Sequence, residues 1–263
     1  MILFFILLLL ILFVLLQIKK KEIYKIENFS NDYKIYISLT TIPERINNIR
    51  TILDSLISQN QKFEKILFNV PNYSKRFKTK YNIPNFLKDE KYKKYVKVIT
   101  CEDYGPGTKL LGCLDYLDNL KTNKEIYVII IDDDRIIDKS LLTSLIRKQV
   151  ENKNCIIANK GSNQQLKVKI PWGAGGISIP YKLIDNKNIK SFFKKHENKC
   201  RYVDDVFWYK YFVNKKNIKI IYHEKVKLNK ETNNNNPLYK EKGLLQRYNK
   251  DKQKGLNELC FNN

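Results

Sequence analysis

The feature that most constrains the fold is an apolar run, Ile126-Tyr127-Val128-Ile129-Ile130-Ile131, followed directly by Asp132-Asp133-Asp134. A continuous, mostly β-branched run is typical of a strand buried on both faces, and such strands belong to parallel sheets covered by helices. Ligands of open α/β sheets bind outside the carboxyl ends of the strands. The run therefore predicts a central strand whose acidic end lies at a ligand-binding edge.

The aspartates themselves suggest a cation site. Strand side chains alternate between faces, so we expect Asp132 and Asp134 to point one way and Asp133 the other. Two such carboxylates repel by roughly 2–3 kcal/mol at about 6 Å, and hard oxygen ligands suit Mg²⁺ or Mn²⁺. His223, at the end of a late apolar run, is predicted to complete the metal shell, unless a local hydrogen bond satisfies it. The alternative for the acids is a solvated strand end that caps the helix expected near Ser140.

Strand and helix patterns alternate along the chain. Further strands are expected over residues 34–40, 65–70, 96–100, 155–159, 176–179 and 218–222. Helices are expected from Pro43, Thr108 and Ser140, and an aromatic helix over 203–213. This alternation predicts an α/β fold with a mainly parallel central sheet flanked by helices.

The amino terminus predicts a membrane anchor. Residues 1–18 are apolar except for Gln17, and as a helix they would span about 27 Å, close to the thickness of a bilayer core. A signal peptide is the alternative, but its charged start and small-residue cleavage site are not evident. We therefore expect a single-pass transmembrane helix and a membrane location. Lys19 to Lys21 favour a cytoplasmic body by the positive-inside rule, but in so lysine-rich a chain they leave the side open.

The remaining chain divides by composition. We expect a polar stalk over 19–32, a catalytic domain over 33–228 and a polar tail over 229–263, the tail being a peripheral helix or partly disordered. Lys and Arg number 49 against 27 Asp and Glu, a balance that suits anionic lipids or nucleotide phosphates, unless it reflects compositional bias alone. Five cysteines without paired spacing exclude a typical zinc site, and their odd number gives no disulfide framework.

Two turns that follow strands are candidate nucleotide-binding segments. In the first, Thr40 and Arg45 flank a helix start, where backbone N–H groups favour anions and an arginine can grip phosphate. In the second, Asp103 is placed to accept from a base or ribose hydroxyl and Lys109 to meet a diphosphate. The alternatives are a surface arginine and a plain Gly-Pro turn with a cap.

A glycine-rich loop and an acidic pair complete the candidate site. Gly175 and Gly176 would let backbone approach a ligand, and Trp172 would stack on a sugar ring, unless it is a core residue beside a flexible loop. Asp204 and Asp205 lie in an aromatic segment, where an unpaired carboxylate is costly. One is expected to be a general base, whereas the alternative is helix capping. Both interpretations hold if Asp204 caps the helix and Asp205 faces the cleft.

Together these segments resemble the GT-A fold glycosyltransferases, specifically family-2-like enzymes, over about residues 33–225. The residues that carry the resemblance are Ser38–Arg45, Asp103–Lys109, Asp132–Asp134, Trp172–Gly176 and Asp204–Asp205. The resemblance implies that Asp132 contacts the donor, Asp134 binds the divalent metal and Asp205 is the base. The family often has Glu-Asp where this chain has Asp-Asp, so the choice between the two acids stays open.

The resemblance implies a metal-dependent hexosyltransferase that moves a sugar from a nucleotide-sugar donor to a glycan, protein or lipid hydroxyl, with inversion. Nucleic acid is not expected as a partner. Three other interpretations remain, one of them an inactive glycosyltransferase-like protein. A nucleotidyltransferase-type metal enzyme would share the acidic strand end but release pyrophosphate, and a membrane-tethered basic binding protein would use the lysines instead.

Overall fold

The structure, a computed structural model, describes residues 4, 9–17, 32–161, 166, 168–227 and 250–262. Its strands are β1 Tyr33–Thr40, β2 Lys65–Pro71, β3 Val96–Cys101, β4 Glu125–Ile130, β5 Ile156–Ala158, β6 Ile177–Pro180 and β7 Ile220–Tyr222. Its helices in the body are α1 Arg50–Ile57, α2 Glu90–Tyr95, α3 Thr108–Leu111, α4 Leu114–Asp118, α5 Leu141–Glu151, α6 Asn186–Cys200, α7 Asp204–Tyr209 and, near the carboxyl terminus, α8 Lys250–Phe261. Every strand predicted from the sequence is present, with bounds that differ by one or two residues.

The strands form one sheet in the order β3-β2-β1-β4-β6-β5-β7. Strands β1 to β4 pair in parallel, as do β5 and β7, whereas β6 is antiparallel to both β4 and β5. The prediction of a mainly parallel α/β sheet is therefore confirmed. The carboxyl ends of β1, β2, β3 and β4 meet at one edge, and this edge carries the candidate site.

Helices cover both faces of the sheet. On β4, Tyr127 and Ile129 pack with α1, α2 and α5 in one core. Val128 and Ile130 pack with α3, α4, α6 and α7 in the other. Because both faces are buried, every position of the strand favours an apolar side chain. This explains the continuous apolar run in the sequence.

Much of both chain ends lies outside the described residues. Residues 9–17 are helical, but the rest of the predicted anchor except Phe4, and the predicted stalk apart from Asp32, lie outside the described part. No helix in the part of the chain that the structure describes is long and apolar enough to cross a membrane. Of the predicted tail, residues 250–262 are described.

The described part of the tail corrects one expectation about cysteines. Cys260 of α8 forms a disulfide with Cys200 at the end of α6, with an S–S distance of 2.09 Å. Cys101, Cys113 and Cys155 are free thiols. An odd cysteine count therefore did not exclude a disulfide, since three cysteines stay reduced.

Candidate active site

The aspartate triplet lies just beyond the central strand. β4 ends at Ile130, and the N–H of Ile131 still donates to the Ser38 carbonyl of β1 at 3.1 Å. The three aspartates follow in a bend, so the alternation of strand side chains does not extend to them. Contrary to the prediction, Asp133 and Asp134 both face one arginine, whereas Asp132 contacts a lysine.

The first group of contacts, the Arg45 cluster, comprises Thr41, Arg45, Asp133 and Asp134. Arg45 donates from Nη1 to Asp133 Oδ1 at 2.6 Å, and Thr41 donates to Asp133 Oδ2 at 2.5 Å. Arg45 and Asp133 are both buried, and burial raises the pKa of Asp133 although Arg45 opposes the shift. Arg45 is therefore not an exposed surface arginine, because it neutralises a buried carboxylate.

Asp134 is the incomplete member of that cluster. Its Oδ2 lies 4.0 Å from Arg45 Nη1, and its buried Oδ1 has no hydrogen-bond partner. Burial, together with Asp132 and Asp133, raises the pKa of Asp134 to about 6. A buried carboxylate oxygen without a partner is costly, so this atom fits a cation. Magnesium binds through one or two carboxylates plus substrate phosphates, and Asp134 with Asp132 suits that pattern.

The three-ligand metal set predicted from the sequence is not assembled. His223 follows β7, and strands β6 and β5 lie between β7 and β4. At the usual strand spacing, β7 is about 14 Å from β4. Burial and the nearby Lys148 and Lys225 lower the pKa of His223. Within the described residues, no group of three or more His, Cys, Asp or Glu side chains is placed to hold a metal.

The second group, the Lys109 cluster, comprises Lys109, Asp132 and Asp204. Lys109 is buried, and its Nζ contacts Asp132 Oδ1 and lies 3.0 Å from Asp204 Oδ2. Trp208 Nε1 donates to the same Asp204 oxygen at 3.1 Å. Burial lowers the pKa of Lys109, but Asp132, Asp204 and Asp205 raise it by more, so the net pKa lies well above its usual range. A charged lysine thus joins the triplet to the acidic pair.

Two buried polar residues hold the backbone of Lys109. Ser38 of β1 donates to the Lys109 carbonyl at 2.5 Å, and Asn69 of β2 donates to the Ser38 hydroxyl at 2.8 Å. Thr40, predicted to bind the donor, donates to the Asn69 carbonyl at 2.8 Å. The sheet therefore fixes where Lys109 enters the site.

The acidic pair adopts two different environments. Val203, and not Asp204, is the N-cap residue of α7, so the alternative of capping by Asp204 does not hold. Asp205 Oδ1 accepts from the Gly173 N–H at 3.0 Å. Burial and the adjacent Asp204 raise the pKa of Asp205 well above its usual range. Asp204 is held by a cation, whereas Asp205 is a candidate proton acceptor.

The loop before β6 contacts the Lys109 cluster through Gly173. A Cβ there would lie 2.8 Å from both Asp132 Oδ1 and Lys109 Nζ, so a side chain would displace the ion pair. Trp172 beside it is 40% exposed. Gly175 faces Lys160, and Gly176 has a φ of +85°. These two glycines make room for the protein's own fold, and sequence reasoning missed Gly173.

Asp103 lies at the same edge with both oxygens engaged. Its Oδ1 accepts from the Gly105 N–H and its Oδ2 from the Lys75 N–H, each at 2.7 Å. Arg201, just before the acidic pair, approaches Oδ2 at 2.9 Å. Arg201 was not predicted from the sequence. It links the Asp103 turn to the segment that carries Asp204.

Comparisons with known proteins concern the fold. No protein-family model and no curated protein matches the chain. S. aureus TarS 1-349 in complex with UDP is similar at 18% identity and a TM-score of 0.46, over 72% of this chain and 57% of that one. The same TarS segment in another crystal structure is similar at 17% identity and a TM-score of 0.39, over 60% of this chain and 49% of that one. The chain thus spans about half the length of these TarS structures.

The 4-diphosphocytidyl-2C-methyl-D-erythritol synthase of Anaerococcus prevotii is similar at 14% identity and a TM-score of 0.43, over 76% of this chain and 93% of that one. The sheet itself confirms the mainly parallel α/β architecture with flanking helices, and this architecture fits the predicted GT-A fold.

Proposed function

We propose that this chain is a glycosyltransferase that moves a sugar from a nucleotide-sugar donor to an acceptor hydroxyl. The observation that supports this best is the convergence of the triplet and the acidic pair on Lys109, at the carboxyl edge of the parallel sheet. The aspartates are 132–134 and 204–205; the cations paired with them are Lys109 and Arg45, and the nearby Arg135 also acts on Asp134. The excess of carboxylates suits a divalent cation and a diphosphate bound together.

Asp134 and Asp132 would hold the cation, Mn²⁺ or Mg²⁺. When bound, it would neutralise the diphosphate leaving group. The support from this chain is the unpartnered Oδ1 of Asp134. Asp132 is shared with Lys109, whose ammonium group would lie beside the same phosphates and add to their neutralisation.

The other predicted donor contacts differ in how exposed they are. Trp172 exposes a ring next to Gly173, in position to cover the apolar face of a sugar. Arg45 and Asp103 are engaged with protein partners, so they would act mainly by shaping the site. Asp103 keeps its proposed nucleoside contact only if the Lys75 or Gly105 N–H bond is exchanged for a donor hydroxyl or base.

Asp205 is the proposed base. A general base works best when its pKa is close to the working pH. The pKa of Asp205 is raised well above the ordinary value of an aspartate. The Gly173 N–H orients its carboxylate. Asp205 would take the proton from the acceptor hydroxyl as that oxygen attacks the anomeric carbon from the face opposite the diphosphate, which inverts the configuration.

The test is a donor screen with product identification. The protein is incubated with a panel of nucleotide sugars and candidate acceptors in Mn²⁺, and free nucleoside diphosphate is measured with and without chelator. We expect release of nucleoside diphosphate with one donor, lost in chelator. Glu90→Ala serves as control, since that carboxylate is 91% exposed. Pyrophosphate as product would instead identify a nucleotidyltransferase, and no turnover with salt-sensitive binding to anionic vesicles would support the basic binding protein.

A further inference from the structure

The carboxyl-terminal helix is attached to the segment that carries the acidic pair. The Cys200–Cys260 disulfide joins α8 to a residue four positions before Asp204. Lys210, directly after α7, donates from Nζ to the Cys260 carbonyl at 3.0 Å. The rings of Tyr209 and Phe261 lie 6.0 Å apart. Three separate contacts therefore bind α8 to the α6–α7 region.

The disulfide and the Lys210 hydrogen bond are interior contacts, whereas Tyr209 and Phe261 are partly exposed. Cys200 and Cys260 are fully buried, and Lys210 is buried as well. Burial and Lys199 lower the pKa of Lys210, so this lysine is costly to bury unless its ammonium group has a partner. The Cys260 carbonyl is that partner, at a helix end where a cation is favourable. The attachment thus contributes to the packed core.

At its amino-terminal end, α7 meets the candidate site. Asp204 contacts Lys109, and Asp205 accepts from Gly173. The helix then continues as a π-helical turn over Lys210–Lys215, a geometry that is rarely stable without support from its surroundings. α7 is therefore held between α8 and the Lys109 cluster.

We propose that α8 is a positioning element for the acidic pair, with Cys200, Lys210 and Cys260 as its positioning residues. Opening the disulfide releases the carboxyl-terminal end of α7 and moves Asp205 away from Gly173. The donor edge on β1 and β4 does not depend on α8 and keeps its geometry. The effect on turnover rests on the proposed function, whereas the effect on the Asp205–Gly173 hydrogen bond does not.

The first experiment measures hydrogen–deuterium exchange of the full chain before and after reduction with a phosphine. We expect exchange to rise about tenfold at Gly173 and in α7, with β1 and β4 unchanged, because local opening removes protection. Cys200→Ser/Cys260→Ser should match the reduced protein and respond no further to reductant. Cys155→Ser should behave as wild type. A change confined to α8 would overturn the proposal.

The second experiment separates kcat from the donor KM, using the donor found in the screen. We expect reduction to lower kcat about tenfold, because a misplaced base slows the chemical step, with a smaller rise in the donor KM as Asp204 moves away from Lys109. Lys210→Met, which keeps the disulfide, should give a smaller loss of the same kind. A raised KM with kcat unchanged would contradict the proposal. If no donor is turned over, the proposed function fails while the exchange experiment still tests the positioning role.

Discussion

The Arg45 cluster and the Lys109 cluster neutralise the same aspartate triplet in different ways. In the Arg45 cluster, Asp133 accepts a short hydrogen bond on each carboxylate oxygen, while Asp134 keeps one oxygen without a partner. In the Lys109 cluster, one cation is shared by Asp132 and Asp204, which are 72 positions apart. The first cluster stabilises one strand end and leaves a ligand position. The second ties two halves of the candidate site together.

This difference separates structural from functional carboxylates within three consecutive residues. Asp133 is expected to matter for folding and Asp134 for catalysis, although both face Arg45.

Asp134→Ala should lower nucleoside diphosphate release by at least about a thousandfold, because a lost metal ligand removes several kcal/mol of charge stabilisation. Its thermal stability should not fall, since the deleted carboxylate has an unpartnered buried oxygen. Asp133→Asn should show the reverse pattern, with lower stability and measurable turnover. Full activity of Asp134→Ala would remove the metal assignment.

Arg45→Met should lower the free energy of unfolding by about 3–5 kcal/mol, the usual cost of leaving a buried charge unpaired. Lys109→Met should cost a similar amount, because it leaves Asp204 without its cation, and the Asp204 side chain is 10% exposed against 11% for Asp133; the Asp132 side chain is 27% exposed and water can solvate it. Urea unfolding would measure both. Lys93→Met, at an exposed pair, is the control. A larger loss for Lys109→Met would mean that the bridging cluster carries more of the stability.

Asp205→Asn should lower kcat about a hundredfold with little change in donor affinity, as expected for a lost general base. Asp204→Asn should instead weaken donor binding as well, because Lys109 loses one of its two anchors. Steady-state kinetics and calorimetric binding of the donor would separate the two. If Asp204→Asn alone gave the pure kcat effect, the two roles would have to be exchanged.

The stability of the free protein should fall as pH rises from 4 to 6. Asp134 has an ordinary pKa of 3.8 but one of about 6 in the folded state. The folded state therefore holds more protons than the unfolded state in this window, which makes the free energy of unfolding decrease with pH. We expect about 1–2 kcal/mol from this group, since the side chain is partly exposed and screened. Unfolding at pH 4.5 and 7 should show a smaller difference in Asp134→Asn, and an equal slope in both proteins would contradict the assignment.

The strands and their edge were predictable because each strand is an apolar run bounded by turn residues or charges. The partners at the edge were not. Lys109 meets Asp204 only through the tertiary fold, and nothing in the local pattern of either residue indicates the other. The orientation of Asp132, Asp133 and Asp134 was predicted wrongly for a different reason. β4 ends at Ile130, and the alternation of strand side chains ends with it.

The disulfide and the long helix α6 show two further limits. Cysteine pairing depends on which side chains become neighbours, and five cysteines permit many pairs. α6 has only three buried residues, Ile189, Phe193 and Cys200, so its apolar stripe is too thin to stand out among the lysines. Gly173 lies in the Trp172–Gly176 loop, whose richness in glycine is visible in the sequence. Only the position of Lys109 shows which of these glycines has no space for a side chain.

The reversed direction of β6 determines which connection reaches the cleft. Because Ile177 pairs with Ile130 and Pro180 with Tyr127, the segment entering β6 arrives beside the aspartates, while the segment leaving it departs on the remote side. Peptide inserted ahead of Ile177 would alter what the cleft admits, whereas peptide inserted after Pro180 would leave it untouched. If the proposed function holds, substrate preference should be open to re-engineering from this entry loop, without changing the strand that follows it.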